Sequence, residues 1–172
     1  MTVVVIEPPE PVVTAQEARD ARVFTDDDDD IYIEMLLEIA QSEIDGPPGW
    51  LRYSIGEQVL RTEIPASAIV QAECLPFRPV TEIISNVASD DGCARVVTYR
   101  AGLPADDVPR RIKHAIILMA GALRDATPSE GGAIKKKTVE GVGSREYTLP
   151  DGAADKMKTA AGQLLSTYQG YA

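Results

Sequence analysis

The stretch DDVPRRIKHAIILMAGALRDA, residues 106–126, constrains this chain more than any other. Ile112, Ile116, Met119 and Leu123 recur at three- and four-residue spacing and mark one face of a helix, which Ile117, Leu118 and Ala120 widen. Asp106 or Asp107 is expected to cap it, and Pro109 suits its first turn, where the missing N–H has no partner to lose. A helix with so broad an apolar face holds together only inside other structure, so the rest of the chain must wall it in. With 172 residues, 44% of them hydrophobic, one core of that kind is within reach, with an arm or two besides.

Two upstream segments read as helical walls. Thr14 and Glu17 have the spacing of a capping box and open a short helix from about Ala15 to near Arg22. The run TDDDDDIYIEMLLEIAQSEIDG, 25–46, follows. Ile33, Leu36, Leu37, Ala40 and Ile44 fall at helical spacing as a buried stripe, with Glu34, Glu38, Gln41 and Glu43 on the wet face. Asp26, Asp27, Asp28, Asp29 and Asp30 repel one another. In the turn before a helix, however, one or two of them accept hydrogen bonds from its first N–H groups and meet its positive end. Gly46, Pro47, Pro48 and Gly49 stop this helix.

Between about 50 and 100 the period changes to two. Residues 58–64, 83–87 and 94–100 read as strands, Asp90, Asp91 and Gly92 as a hairpin turn, and Pro65, Pro76 and Pro79 as strand limits. Beyond 126, TPSEGG reads as a linker and AIKKKTVEGVGSREYTLPDG as a basic, glycine-rich arm. A helix from about Ala153 follows, with Met157, Ala161, Leu164, Leu165 and Tyr168 available for one side. The expected class is α+β: a helical core, a small antiparallel sheet inserted in it, and an extended C-terminal arm ending in a helix. The divisions are an N-terminal extension at 1–13, a core domain at 14–126, and an arm at 127–172.

Charge and chemistry narrow the function classes. Lys and Arg total 17 against 27 Asp and Glu, a formal net charge of −10, which opposes a sequence-independent grip on nucleic-acid phosphates. Cys74 and Cys93 read as thiols, since no CxxC pair or second histidine accompanies them, and no metal or cofactor is expected. His114 lies within the amphipathic helix beside Lys113 and reads as a packed or surface residue. The five aspartates lack the alternating ligands, central glycine and distal glutamate of a calcium loop. EGVGSRE is neither a phosphate loop nor a nucleophile elbow. The chain is therefore expected not to be an enzyme. The N-terminus lacks the pattern of a signal peptide and no run reaches membrane-spanning length, so the expectation is a soluble protein made in the cytoplasm, without membrane contact.

The order of elements resembles a known family. The acid-led helix DDDDDIYIEMLLEIAQSEIDG, the strand entrance LPFRPV and the stretch YRAGLPADDVPRRIKHAIILMAG are similar to the head-to-tail connector (adaptor) proteins of tailed bacteriophages and phage-derived particles, over about 13–168. The resemblance implies a homo-oligomeric ring, typically a dodecamer, in the virion between the portal protein and a stopper or tail-completion protein. DNA would pass through it without specific binding. On this reading Lys135, Lys136, Lys137, Tyr147, Leu164, Leu165, Tyr168 and Tyr171 are candidate anchors for docking onto the portal or a neighbouring subunit, and Asp26 to Asp30 line a lumen or rim. The competing reading is a small β-rich binding module of a virion or surface complex.

Overall fold

A computed structural model of the chain describes residues 2–89, 92–126 and 153–171. In chain order the elements are β1 (Val3–Glu7), α1 (Ala15–Asp20), α2 (Asp30–Ser42), β2 (Gln58–Pro65), β3 (Val80–Ala88), β4 (Ala94–Ala101), α3 (Arg110–Ala126) and α4 (Ala153–Leu165). Short 3-10 turns occupy Ala72–Cys74, Ala105–Asp107 and Ser166–Tyr171. The architecture is mixed α and β, with one four-stranded antiparallel sheet in the order β1-β2-β4-β3.

The sheet and the helices build two adjoining cores. Alternation along β2 and β4 sends Leu60, Ile64, Val97, Tyr99 and Ala101 to one sheet face, where Leu75 and Phe77 from the preceding loop cover them. The Tyr99 hydroxyl donates to the Pro76 carbonyl at 2.9 Å, which satisfies its polar end. The helical core is larger. Ile112, Ile116 and Met119 of α3 are buried against Ile33, Leu36, Leu37 and Ala40 of α2, and Leu123 packs at its margin. Val12, Val13 and Phe24 close the same core.

Local signals explain the helix limits. At α1, Thr14 Oγ1 accepts from the Glu17 N–H, and Glu17 Oε2 accepts from the Thr14 N–H at 2.9 Å, a complete capping box. Arg22, with φ of +59°, turns the chain out of the helix. Asp106 and Asp107 do not cap α3. They belong to a separate 3-10 turn, and extended, buried Val108 divides that turn from the helix, so the Pro109 carbonyl accepts the first helical bonds, from Ile112 and Lys113.

Three further expectations need correction. Residues 3–7 of the presumed extension form β1, which pairs with β2 from Val3 opposite Thr62 to Glu7 opposite Val59, and Val12 and Val13 enter the core. Gln41 is not on the wet face of α2 but buried, for a reason given below. Leu165 of the expected docking arm is 0% exposed within the chain's own helical core, beside Ala161, while Leu164 and Tyr168 pack against that core. The Tyr168 ring lies 6.4 Å from that of Tyr53. The last helix thus spends its apolar side on its own domain. Lys135, Lys136, Lys137 and Tyr147 lie outside the described residues, as do the Tyr171 side chain and the turn residues Asp90 and Asp91.

Candidate functional site

The acidic run is built around two arginines. Asp28 Oδ2 accepts from the Thr25 N–H at 2.8 Å and from its hydroxyl at 3.0 Å, so this carboxylate closes its own loop. The Thr25 N–H holds the Asp28 carboxyl below its usual range against the effect of burial, with the Thr25 hydroxyl, Arg124 and Arg19 adding to it. From α1, Arg19 donates to the carbonyls of Thr25 and Asp28 and pairs with Asp30. From α3, Arg124 donates to the Val23 carbonyl at 2.6 Å, lies 5.1 Å from the centre of the Phe24 ring and approaches Asp28 at 3.8 Å. Asp29 occupies the N-cap of α2 with no side-chain cap bond, contrary to the expected capping role. Asp26, Asp27, Asp29 and Asp30 remain exposed.

Immediately beyond the run, α2 carries a second feature that its buried stripe conceals. Ile31, Met35 and Ile39 are exposed at i, i+4 and i+8, Ile31 by 75%. Trp50, also exposed, lies in the loop beyond the end of α2, where its N–H donates at 3.1 Å to the carbonyl of Glu43. Exposed Glu34 and Glu38 border this ridge, and the aspartates lie at its start. Single exposed apolar residues are ordinary, but three in a row along successive turns of one helix form a candidate contact surface. The signal was present in the sequence as the spacing 31, 35, 39, masked by the stronger inward stripe.

A carboxylate that sequence reasoning passed over sits at the centre of the fold. Asp45 is 1% exposed. Its Oδ1 accepts from the Ile55 N–H at 2.7 Å and from Gln58 Nε2 at 2.9 Å, and its Oδ2 from the Gly56 N–H at 2.9 Å and Gln41 Nε2 at 3.1 Å. Gln41 also donates to the Glu10 carbonyl, and its Oε1 accepts from the Val12 N–H at 3.1 Å. This one node ties together the N-terminal strap, the end of α2, the loop into the sheet and the start of β2, and it explains why Gln41 is buried. Backbone is packed tightly around it: a Cβ on Gly56 would stand 2.5 Å from the Glu10 carbonyl oxygen and 2.8 Å from Gln41 Nε2. Burial raises the Asp45 pKa, opposed by the Gly56, Ile55, Gln41 and Gln58 donors. Sealed from solvent and engaged on both oxygens, Asp45 is suited to holding segments together, not to meeting a substrate.

His114 is exposed on α3. Cys74 and Cys93 are exposed and outside any disulfide. Among the described residues, no group of three His, Cys, Asp or Glu side chains is arranged to hold a metal ion, and no helix is long and apolar enough to cross a membrane. Compared with family models, curated proteins and solved structures, the chain finds no match. The connector resemblance thus stands on the sequence's own order of elements.

Proposed function

We propose that this protein is a structural head-completion adaptor, a ring-forming subunit between the portal and the stopper or tail-completion protein of a phage or phage-derived particle, with no catalytic role. The observation that carries the reading is the α2 ridge of Ile31, Met35 and Ile39, edged by carboxylates. A subunit destined for a larger assembly exposes apolar rows of this kind, and the acidic border gives them a polar rim. The net charge of −10 suits a passage that must release DNA, since phosphate finds few cations to hold it. The docking arm narrows to the stretch containing Lys135, Lys136, Lys137 and Tyr147, because Leu164, Leu165 and Tyr168 already serve the subunit's own core.

The test is binding of the purified protein to portal-containing capsids, read by electron microscopy and co-sedimentation. The expected result is added density at the portal vertex that is lost with Met35→Lys plus Ile39→Lys. Absence of binding by the parent protein would refute the adaptor reading. For the acidic run, Asp26→Asn, Asp27→Asn and Asp29→Asn together leave the Asp28 and Asp30 contacts intact. Particles carrying them should assemble and deliver DNA less efficiently if the run lines the passage. Normal delivery would remove that role.

A further inference from the structure

Among the described residues no strand pairs with the outer side of β1 or of β3, and these two edges match each other. β1 and β3 are the outer strands of the order β1-β2-β4-β3, and although Glu7 and Glu82 and a register shift in β1 and two in β3 interrupt them, Val3 to Ile6 and Ser85 to Ala88 carry neither charge nor proline, the usual guards against strand pairing. The two strands expose Val4, Val5 and Ile6 on one edge and Ile83, Ile84 and Val87 on the other. Direction is the second point of fit. Four strands, each antiparallel to the next, leave the two edges running in opposite senses. A second copy brought alongside in the same orientation therefore continues the antiparallel alternation across the junction.

The side chains also agree in face. Val4 lies opposite Arg61, which lies opposite Thr98 and then Ser85, so Val4 shares a face with Val87, whose partner is Val96. Val5 lies opposite Leu60, then Tyr99, then Ile83, on the other face. Continuing the sheet sets Val4 of one copy on the same face as Val87 of the next, the type of cross-strand contact that β-branched residues favour, with Asn86 and Ala88 on the face of Val5. Register shifts between Val80 and Glu82 and between Ile83 and Ser85 interrupt the first half of β3, so the regular stretch left for pairing is Ser85 to Ala88.

We propose that β1 of one subunit pairs with the second half of β3 of another copy of this chain, head to tail, making one sheet that runs through successive subunits. Such a heterologous contact leaves an open edge on every added copy and closes only by forming a ring. The proposal names a subunit contact for the ring of the adaptor reading, but it stands on the sheet edges alone, and its test uses neither portal nor DNA.

The experiment measures the mass in solution of the full chain, of Val4→Lys (β1 edge) and of Val87→Lys (β3 edge), with thermal melts to verify that each variant is folded. The parent is expected at a mass at least double that of one chain, more strongly at high salt, which screens its negative charge. Each variant alone should be a monomer. Their equimolar mixture should stop at a dimer, because the intact β3 edge of Val4→Lys meets the intact β1 edge of Val87→Lys. A second measurement places Val4→Cys and Val87→Cys in one chain carrying Cys74→Ser and Cys93→Ser, where oxidation should give a ladder of disulfide-linked chains. A monomeric parent, either lysine variant associating by itself, or a mixture that stays monomeric would overturn the proposal. Failure here together with normal capsid binding would leave the adaptor reading standing.

Discussion

Asp45→Asn tests the reasoning about the buried node most severely. An asparagine amide in the place of Oδ1 faces Gln58, whose own Oε1 is buried without a partner, so a flip of Gln58 accommodates it. The Ile55 N–H, now 2.7 Å from Oδ1, then loses its acceptor. The amide in the place of Oδ2 instead strands the Gly56 N–H, and Gln41 cannot flip to help without giving up the Val12 N–H. Either way one buried backbone donor is orphaned, at a cost of about 1–3 kcal/mol. A protonated Asp45 fares better than asparagine, because its hydroxyl oxygen can donate to a flipped Gln58 and still accept from Ile55. The pH dependence follows from the raised pKa: the contribution of Asp45 is full below its ordinary value of 3.8 and is lost as pH rises through the raised folded value. The gap between parent and Asp45→Asn should thus be largest at acid pH and narrow toward neutrality. Urea unfolding of both proteins from about pH 3 to about pH 7 measures it, and the other carboxylates cancel in the difference. A gap that widened with pH would mean that the four donors outweigh burial and that the raised pKa is wrong.

The remaining predictions concern the helices and the acidic run. Leu165→Ala should destabilise the isolated protein by about 2–5 kcal/mol, read by denaturant midpoint, because the side chain fills its own core; an unchanged midpoint would return it to the role of a docking anchor. Ile116→Asp puts a charge among packed apolar groups and should cost on the order of 3–5 kcal/mol, seen as loss of soluble folded yield. Asp28→Ala should cost about 1 kcal/mol through its two Thr25 bonds, while Asp27→Ala stays within about 0.5 kcal/mol; equal effects in thermal melts would contradict the loop geometry. Since the folded pKa of Asp28 is lowered, its contribution is present above 3.8 and lost as pH falls through the lowered value, a dependence that Asp28→Asn should abolish.

Local physics made much of this fold legible in the chain itself. The period of Ile112, Ile116 and Met119, the capping box of Thr14 and Glu17, and the alternation of 58–64 and 94–100 each depend on neighbours a few residues apart, so helix α3, the start of α1 and strands β2 and β4 could be read directly. What needed the tertiary structure were choices between partners distant in sequence. VVVIE becomes a strand only because β2 offers an edge nearly sixty residues away, as the Val3 to Thr62 pairing illustrates. Gln41 and Asp45 look like surface polar residues until the Val12, Ile55 and Gly56 N–H groups arrive beside them, since a polar group is buried only where donors and acceptors from several segments converge. The five aspartates show the same division: their charge and position before α2 are plain in the sequence, but Asp28 alone is engaged by both Thr25 and Arg124, because helix packing carries Arg124 across from α3. Leu165 could cover its own core or a partner's equally well by hydrophobicity, and only the packing of α4 on α3 assigned it to the former.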